Sequence, residues 1–164
     1  MDASPINPCE PNWTCEVAFV KYLKAPATRP AELKSVVVSA RTRSLGDVKF
    51  ESRTELLQQL ARELLEQIER VPQFRLLKSK ASLEKCLGWS CVRYEATVED
   101  YSSHLFPGSV FVLNLLGFLY HHPDSTASIV ALEYSQRYLK GEKSPRLEAE
   151  VEPFLKSLVF GPLR

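Results

Sequence analysis

The sequence has few glycines, no long apolar run and almost no net charge, and each of these absences excludes a class of protein. Only six glycines occur among 164 residues, and no glycine-rich phosphate-binding motif is present. The longest apolar run, Val110–Tyr120, has eleven residues, whereas a membrane-spanning helix needs about 20. The 21 basic and 20 acidic residues nearly cancel, which argues against a protein whose main task is to bind nucleic acid or anionic lipid.

The residues that are present indicate one globular domain behind a short tether. A chain of 164 residues with 45% apolar composition is long enough to bury a substantial core. Residues 1–14 are rich in proline and asparagine, and they have neither the basic start nor the apolar stretch of a signal peptide. We therefore interpret 1–14 as a flexible tether and 15–164 as a single domain.

The hydrophobic pattern predicts a mostly antiparallel sheet with two main helices. Ser52 and Glu55 form a capping box that begins the clearest helix, and Pro72 ends it. A second helix is expected to begin near Glu152, with Pro153 in its first turn. Two helices flanking such a sheet give an α+β fold, an α/β/α sandwich. The strands are expected at Cys15–Leu23, Leu33–Thr42, Ser109–His122 and Ser128–Leu139, with a β-hairpin over Phe74–Asp100 whose turn is Leu87–Ser90.

The four cysteines form two close pairs, Cys9 with Cys15 and Cys86 with Cys91, and three interpretations are open. Zinc sites place about two to four residues between paired ligands, but five residues separate the first pair and no histidine lies nearby in metal spacing. Two local disulfides would imply an oxidising compartment. Free thiols in a cytosolic protein are the third interpretation. We favour at least one disulfide, between Cys86 and Cys91, because these residues flank the turn of the predicted hairpin.

His121, His122 and Asp124 form the candidate metal-binding group of the sequence. Adjacent histidines on an extended chain point to opposite faces, so a strand does not easily direct both at one ion. His122–Ser125 is also good turn chemistry, because its proline presets φ and its aspartate or serine caps the turn. We favour the turn, keep metal binding as the weaker alternative, and expect no cofactor.

Three polar residues share one face of the last predicted strand. Glu133, Ser135 and Arg137 are two residues apart, and residues at this spacing lie on the same side of a strand. They are therefore a candidate polar surface, with a solvated row or cross-strand ion pairs as the alternative. No catalytic residue is predicted.

Two stretches carry a resemblance to a known superfamily. They are GFLYHHPDSTASIVALEYSQRY, at 117–138, and EVEPFLKSLVF, at 150–160. They resemble the superfamily that joins the PsbP photosystem accessory proteins, the Mog nuclear-import factors and various bacterial exported lipoproteins. The resemblance implies an α/β/α sandwich and a mostly non-enzymatic, partner-binding role, and it carries over no catalytic residue.

Composition, cysteines and resemblance together predict a non-enzymatic extracytoplasmic accessory protein with a protein partner and no nucleic-acid ligand. We expect it in the periplasm or at the cell envelope, tethered through its N-terminal segment as the soluble domain of a lipoprotein would be. One alternative is a cytosolic GTPase- or partner-binding protein like the Mog import factors. The other is a metal-binding protein or enzyme that uses the His121 and His122 region.

Overall fold

A computed structural model of the chain describes residues 14–22, 26–45, 52–86, 88–122 and 128–142, together with 149, 151 and 153. These residues form one six-stranded antiparallel sheet, one long helix, α1 (Arg53–Glu69), and one short 3-10 helix, Pro30–Glu32. The strands are β1 (Thr14–Tyr22), β2 (Ser35–Ser44), β3 (Phe74–Cys86), β4 (Trp89–Asp100), β5 (Phe111–His121) and β6 (Ser128–Leu139). Their order across the sheet is β1-β2-β6-β5-β4-β3, so β3 is an edge strand and β5 and β6 are central.

The predicted strand pattern is confirmed, with one difference in the β3–β4 hairpin. β3 runs to Cys86 and β4 begins at Trp89, so the turn is shorter than the predicted Leu87–Ser90. Gly88 in this turn has a φ of 84°, a left-handed conformation that favours glycine and suits a tight hairpin.

The long helix α1 begins where the capping box predicts. The hydroxyl of Ser52 accepts a hydrogen bond from the backbone N–H of Glu55 at 3.1 Å, which satisfies one of the N–H groups exposed at a helix start. None of the described helices has the length and apolar character that crossing a membrane requires. The apolar face of α1 packs on β3, β4 and β5, and its buried residues are Leu56, Leu57, Leu60, Ala61, Leu64 and Leu65.

The sheet buries apolar side chains on both faces. On the α1 face, the predicted alternation of β4 is confirmed, because Val92, Tyr94, Ala96 and Val98 are buried against the helix. β5 and β6 each contribute buried apolar side chains to both faces, so they form the interior of the sheet. The second core, on the opposite face, is formed largely by Cys91, Leu116, Phe118, Tyr120, Val130, Leu132 and Tyr134.

The predicted α/β/α sandwich with two main helices is wrong. The described residues contain one main helix, and it lies on one face of the sheet. After Glu142 only Ala149, Val151 and Pro153 are described; each is helical, and Val151 is buried in the second core. The rest of the predicted C-terminal helix and residues 1–13 of the predicted tether lie outside the described residues. Helical spacing indicates one apolar face in a segment, but it does not determine how much of a sheet that segment covers.

Gly117 lies in the middle of β5, where a side chain would collide with Tyr94. The strand register places Gly117 between Tyr94 of β4 and Glu133 of β6. A Cβ atom built on Gly117 would overlap Cζ and Oη of the Tyr94 side chain. The phenol ring therefore crosses β5 directly over the glycine backbone.

We expect Gly117→Ala to lower the free energy of unfolding by about 2 kcal/mol, because the added methyl group displaces the Tyr94 ring. The opposing gain from removing a flexible glycine from a strand is smaller, about 0.5–1 kcal/mol. Urea unfolding followed by circular dichroism measures the difference.

The collision can be removed in a Tyr94→Val background. There, Gly117→Ala should be neutral or slightly stabilising, so the double-mutant cycle should give a coupling energy of about 2 kcal/mol. An equal loss of stability in both backgrounds would show that Tyr94 is not what excludes a side chain at position 117.

Candidate functional site

A polar cluster lies within the α1 face of the sheet, formed by Ser39, Arg41, Tyr94 and Glu133, and we call it the Glu133 cluster. The hydroxyl of Tyr94 donates a hydrogen bond to Oε1 of Glu133 at 2.6 Å. On the other carboxylate oxygen, Arg41 forms an ion pair and the Ser39 hydroxyl lies at 3.4 Å. Three strands, β2, β4 and β6, therefore converge on one carboxylate.

Burial makes the Glu133 cluster a cohesive unit. Tyr94 is fully buried and Arg41 is 6% exposed, whereas the Glu133 side chain keeps 17% of its surface accessible. Burial raises the pKa of Tyr94 well above its ordinary value of 10.0, the charge and hydrogen bond of Glu133 raise it further, and Arg41 opposes them. Tyr94 therefore stays protonated and acts as a donor. The protein itself supplies the charge partner and the hydrogen bonds of the Glu133 carboxylate. The cluster therefore has a structural role, in which it links β2, β4 and β6.

The sequence-predicted polar surface of Glu133, Ser135 and Arg137 does not converge into one site. All three residues are half-buried and lie on one face of β6, but they have different neighbours. Arg137 Nε donates to Oδ2 of Asp100 at 2.6 Å, and its guanidinium carbon lies 4.3 Å above the centre of the Phe111 ring. Ser135 pairs with Val37 and Leu115 in the register and separates the other two polar residues.

A cleft of about 280 Å³ opens where α1 begins, beside the ends of β4 and β5, and we call it the helix-start cleft. Its lining combines hydroxyl, imidazole, guanidinium and apolar groups. The Trp89 side chain is half exposed, whereas Leu57 is buried. Among the residues that the structure describes, those that line it are Arg53, Thr54, Leu57, Trp89, Ser90, His121 and His122.

Both predicted histidines line this cleft, and both have structural contacts. His121 Nε2 donates to the backbone carbonyl of Arg53 at 3.1 Å, which ties β5 to the first residue of α1. The backbone N–H of His122 donates to the carbonyl of Ser128 at 3.0 Å, and its side chain is buried. Burial lowers the pKa of His121 below its ordinary value of 6.5, against the hydrogen bond to Arg53, so its ring is neutral at neutral pH.

The weak metal candidates are not brought together into a ligand set in the part of the chain that the structure describes. No group of three or more histidine, cysteine, aspartate or glutamate side chains there could hold a metal ion. Asp124, the third member of the predicted group, lies outside the described residues, so its position relative to His121 and His122 stays a prediction.

Cys86 and Cys91 form a disulfide at the end of the β3–β4 hairpin. Cys86 pairs with Trp89 in the register, so the bridge links diagonal rather than directly opposite positions, with Cα atoms 5.9 Å apart. This separation is within the usual range for a disulfide. Cys9 lies outside the described residues, as does the side chain of Cys15, so that pairing stays a prediction.

Sequence reasoning missed Arg41, Arg53 and Trp89 as members of these sites. Trp89 carried a usable signal, because it is a large aromatic residue directly after the glycine of the hairpin turn, at an end of the sheet where it stays half exposed. Arg41 and Arg53 carried none, since their neighbours come from strands and loops distant in sequence. The pairing of β2 with β6 is what brings Arg41 to Glu133.

Comparisons with known proteins give distant structural likeness only. No protein-family model and no curated protein matches the chain. Among solved structures, the chain is similar to LpqN, which is involved in cell envelope biogenesis of Mycobacterium tuberculosis, with 15% sequence identity and a TM-score of 0.43. The match covers 96% of this chain and 82% of that chain. A likeness this distant carries no argument about function, and the resemblance to the PsbP and Mog superfamily stays a prediction.

We expect Glu133→Gln to destabilise the protein by about 3 kcal/mol, because it removes the negative charge that pairs with the buried guanidinium of Arg41. Tyr94→Phe is the matched control that removes only one hydrogen bond to the same carboxylate, at a cost of about 1–2 kcal/mol. Denaturant unfolding of both variants measures the two losses. Equal losses would contradict the view that the charge on Glu133, rather than its hydrogen bonding, holds the cluster together.

Proposed function

We propose that this chain is a non-enzymatic extracytoplasmic accessory protein that binds a protein partner along strand β3 and is held at the envelope through its N-terminal segment. The observation that supports this function best is the exposed edge of β3, which ends in the disulfide-linked hairpin. A strand at the edge of a sheet offers unpaired backbone groups to an extended segment of another chain.

The β3 edge is long and accessible. The strand has thirteen residues and pairs with β4 alone in the described part of the sheet. Leu77 and Leu83 are 51% and 48% exposed, although both are large apolar residues. Exposed apolar side chains on a rigid edge are typical of surfaces that bind other proteins.

Charge indicates which kind of segment fits this edge. Lys78, Lys80 and Lys85 are exposed on β3, and within the described residues none of them forms an ion pair. Like charges disfavour pairing between two copies of the same edge, a common protection of edge strands. The same lysines favour an extended partner segment that carries acidic residues.

The compartment is supported by the Cys86–Cys91 bridge. Stable disulfides form in oxidising compartments and are rare in the cytosol, where thiols are kept reduced. Cys91 is fully buried, so the bridge lies within the packed structure rather than on a mobile segment. These features favour an exported protein over a cytosolic partner-binding protein.

We expect Cys86 and Cys91 to be oxidised in the native host. Cells are quenched in acid, free thiols are blocked with N-ethylmaleimide, and the sample is then reduced and treated with the deuterated reagent. Peptides that carry these cysteines should take the heavy label in mass spectrometry, with a cytosolic protein of the same cells as the light-labelled control. Light label on both cysteines would favour the cytosolic alternative and contradict export.

We expect the partner to contact the β3 edge. In the native host, the full chain with p-benzoylphenylalanine in place of Leu83 should cross-link to a partner protein. The cross-linked peptide of that partner should come from an acidic segment. The same group at Arg62, on the exposed face of α1, is the positional control. Equal cross-linking from both positions would contradict an edge-specific site.

Charge removal then tests the partner recovered from that cross-link. Replacing Lys78 and Lys80 by glutamine should weaken its binding about 5- to 30-fold, since each exposed ion pair contributes up to about 1 kcal/mol. The pair Arg62→Gln and Arg70→Gln removes the same charge from α1 and its C-cap and should leave the dissociation constant unchanged. Equal effects of the two pairs would show only a long-range charge effect.

A further inference from the structure

We propose that β3 recognises a partner segment with alternating side chains, acidic on one face of the sheet and apolar on the other, and pairs with it over Lys78–Lys85. It rests on the proposed function, since the segment is the one that this function assigns to the β3 edge. The register of the β3–β4 hairpin adds which backbone groups are free, how long the segment is and which side chains it meets.

The tight hairpin determines which backbone groups of β3 face away from β4. Cys86 pairs with Trp89 across a two-residue turn, and such a turn closes on a pair that exchanges both backbone hydrogen bonds. Hydrogen-bonded pairs then recur at every second residue, and the register runs without a shift from this pair to Lys78 and Thr97. The N–H and C=O groups that point to the free edge are therefore those of Ser79, Ala81, Leu83 and Lys85.

Two features limit the segment to about eight residues. A shift in the register between Leu76 and Lys78 marks a β-bulge, and a bulge interrupts the regular spacing of the edge groups. At the other end, β3 stops at Cys86, which the disulfide joins to Cys91. An added strand therefore pairs over 78–85, a length of about 26 Å at about 3.3 Å per residue.

The even-numbered side chains of this stretch form a cationic face. Lys78 and Lys80 are exposed on the side of the sheet opposite α1, where Glu95 is the direct neighbour of Lys80 in the register. Glu95 pairs with Arg93 at 2.6 Å, and Arg93 also lies 3.9 Å from Glu84, the acid on the same side of β3. Both acids therefore have another cation beside them. Acidic side chains of an added strand would lie directly opposite the two lysines, where unlike charges are favourable.

The odd-numbered side chains from 79 to 83 form an uncharged face on the α1 side. Leu83 lies opposite Val92 and Ala81 lies opposite Tyr94 in the register, and these two residues of β4 are buried against the helix. Ser79, Ala81 and Leu83 are themselves exposed, Leu83 by 48%. Apolar side chains of an added strand would cover Leu83 and remove apolar surface from water. A segment with a period of two residues thus matches both faces at once.

The probe is an eight-residue peptide, blocked at both ends, that alternates valine with polar residues. Its two central polar positions are glutamate and the others are threonine. The full, isotope-labelled chain is titrated with this peptide, and its backbone amides are followed by NMR. We expect saturable downfield shifts of the amide protons of Ala81 and Leu83, which gain a hydrogen bond. Smaller shifts are expected at Lys80 and Ser82, whose amides already bond to β4.

Two control peptides separate alternation from charge. The first has the same composition but its valines are contiguous, so it cannot place glutamate and valine on opposite faces. The second alternates in the same way but carries lysine in place of glutamate, which puts like charges opposite Lys78 and Lys80. Each should bind at least about tenfold more weakly than the alternating glutamate peptide.

A pair of proline variants tests the backbone pattern. Proline lacks an N–H group, and within a sheet it is tolerated on an edge strand where that group would face solvent. Ala81→Pro should therefore keep a midpoint of urea unfolding close to that of the native chain and weaken the peptide about fivefold, since one hydrogen bond is lost. Ser82→Pro should unfold at a clearly lower urea concentration, because it removes an N–H that bonds to β4.

Four results would overturn the proposal. Equal binding of the two valine–glutamate peptides would show that the edge does not distinguish alternation. Equal shifts at Lys80, Ala81, Ser82 and Leu83 would place the peptide on a face of the hairpin rather than on its edge. Loss of folding in Ala81→Pro but not in Ser82→Pro would reverse the assignment of free groups. Absence of saturable shifts on β3 would show that no such segment is recognised.

The failure of this pattern is distinguishable from the failure of partner binding. Cross-linking from Leu83 does not use the peptide, so a partner captured there through a segment without alternation would leave the partner-binding function in place and contradict only the pattern. Saturable peptide binding with no cross-linked partner in the native host would support the recognition pattern and contradict the partner-binding function.

Discussion

The passage of the Tyr94 ring over Gly117 fixes the alignment of β4, β5 and β6, and the rest of the structure depends on that alignment. Tyr94, Gly117 and Glu133 lie in one row across the three strands, and the row continues to Ser39 on β2. A slip of one residue would put Leu116 or Phe118 under the phenol ring and would reverse the faces of a strand. The burial pattern and the contacts of Tyr94 with Gly117 and Glu133 therefore favour the same register.

The position of α1 determines which parts of the sheet are apolar, polar or open. The helix covers β3, β4 and β5, and beneath it the sheet presents valine, leucine and alanine. Beyond it, on β6 and β2, the same face changes to Glu133 and Arg41, which neutralise each other. At the start of the helix, Trp89 and His121 lie at the ends of their strands beside the first turn. The helix-start cleft is thus a consequence of where α1 begins, and Ser52 sets that point by capping the helix.

Local features of this fold, including the Cys86–Cys91 bridge of the β3–β4 hairpin, could be predicted from the sequence. Contacts between strands that are distant in sequence could not. The capping box at Ser52 and the alternation of β4 and β6 depend on residues that are close in sequence. The sequence alone is therefore enough to predict both. The role of Gly117 depends on its two neighbouring strands, and a lone glycine in an apolar run indicates only a bend or a close approach. The alternation of β6 likewise predicted that Glu133 and Arg137 share one face. It could not predict that the two residues have different partners.

The nearly neutral composition conceals an uneven distribution of charge. Three buried or half-buried acids are each matched with a cation, Asp100 with Arg137, Glu99 with Lys140 at 2.6 Å, and Glu133 with Arg41.

These pairs use acidic groups to hold the sheet together, and two of them lie at the end of the sheet opposite the helix-start cleft. For Glu99, the hydrogen bonds from Lys140 and then Tyr101 lower the pKa of the carboxyl group, so it stays ionised in its pair. The lysines of β3 and the guanidinium of Arg53 have no such acid beside them among the described ion pairs. A chain with a net charge of +1 therefore keeps exposed positive charges on β3 and at the start of α1, while its buried acids are neutralised within the sheet.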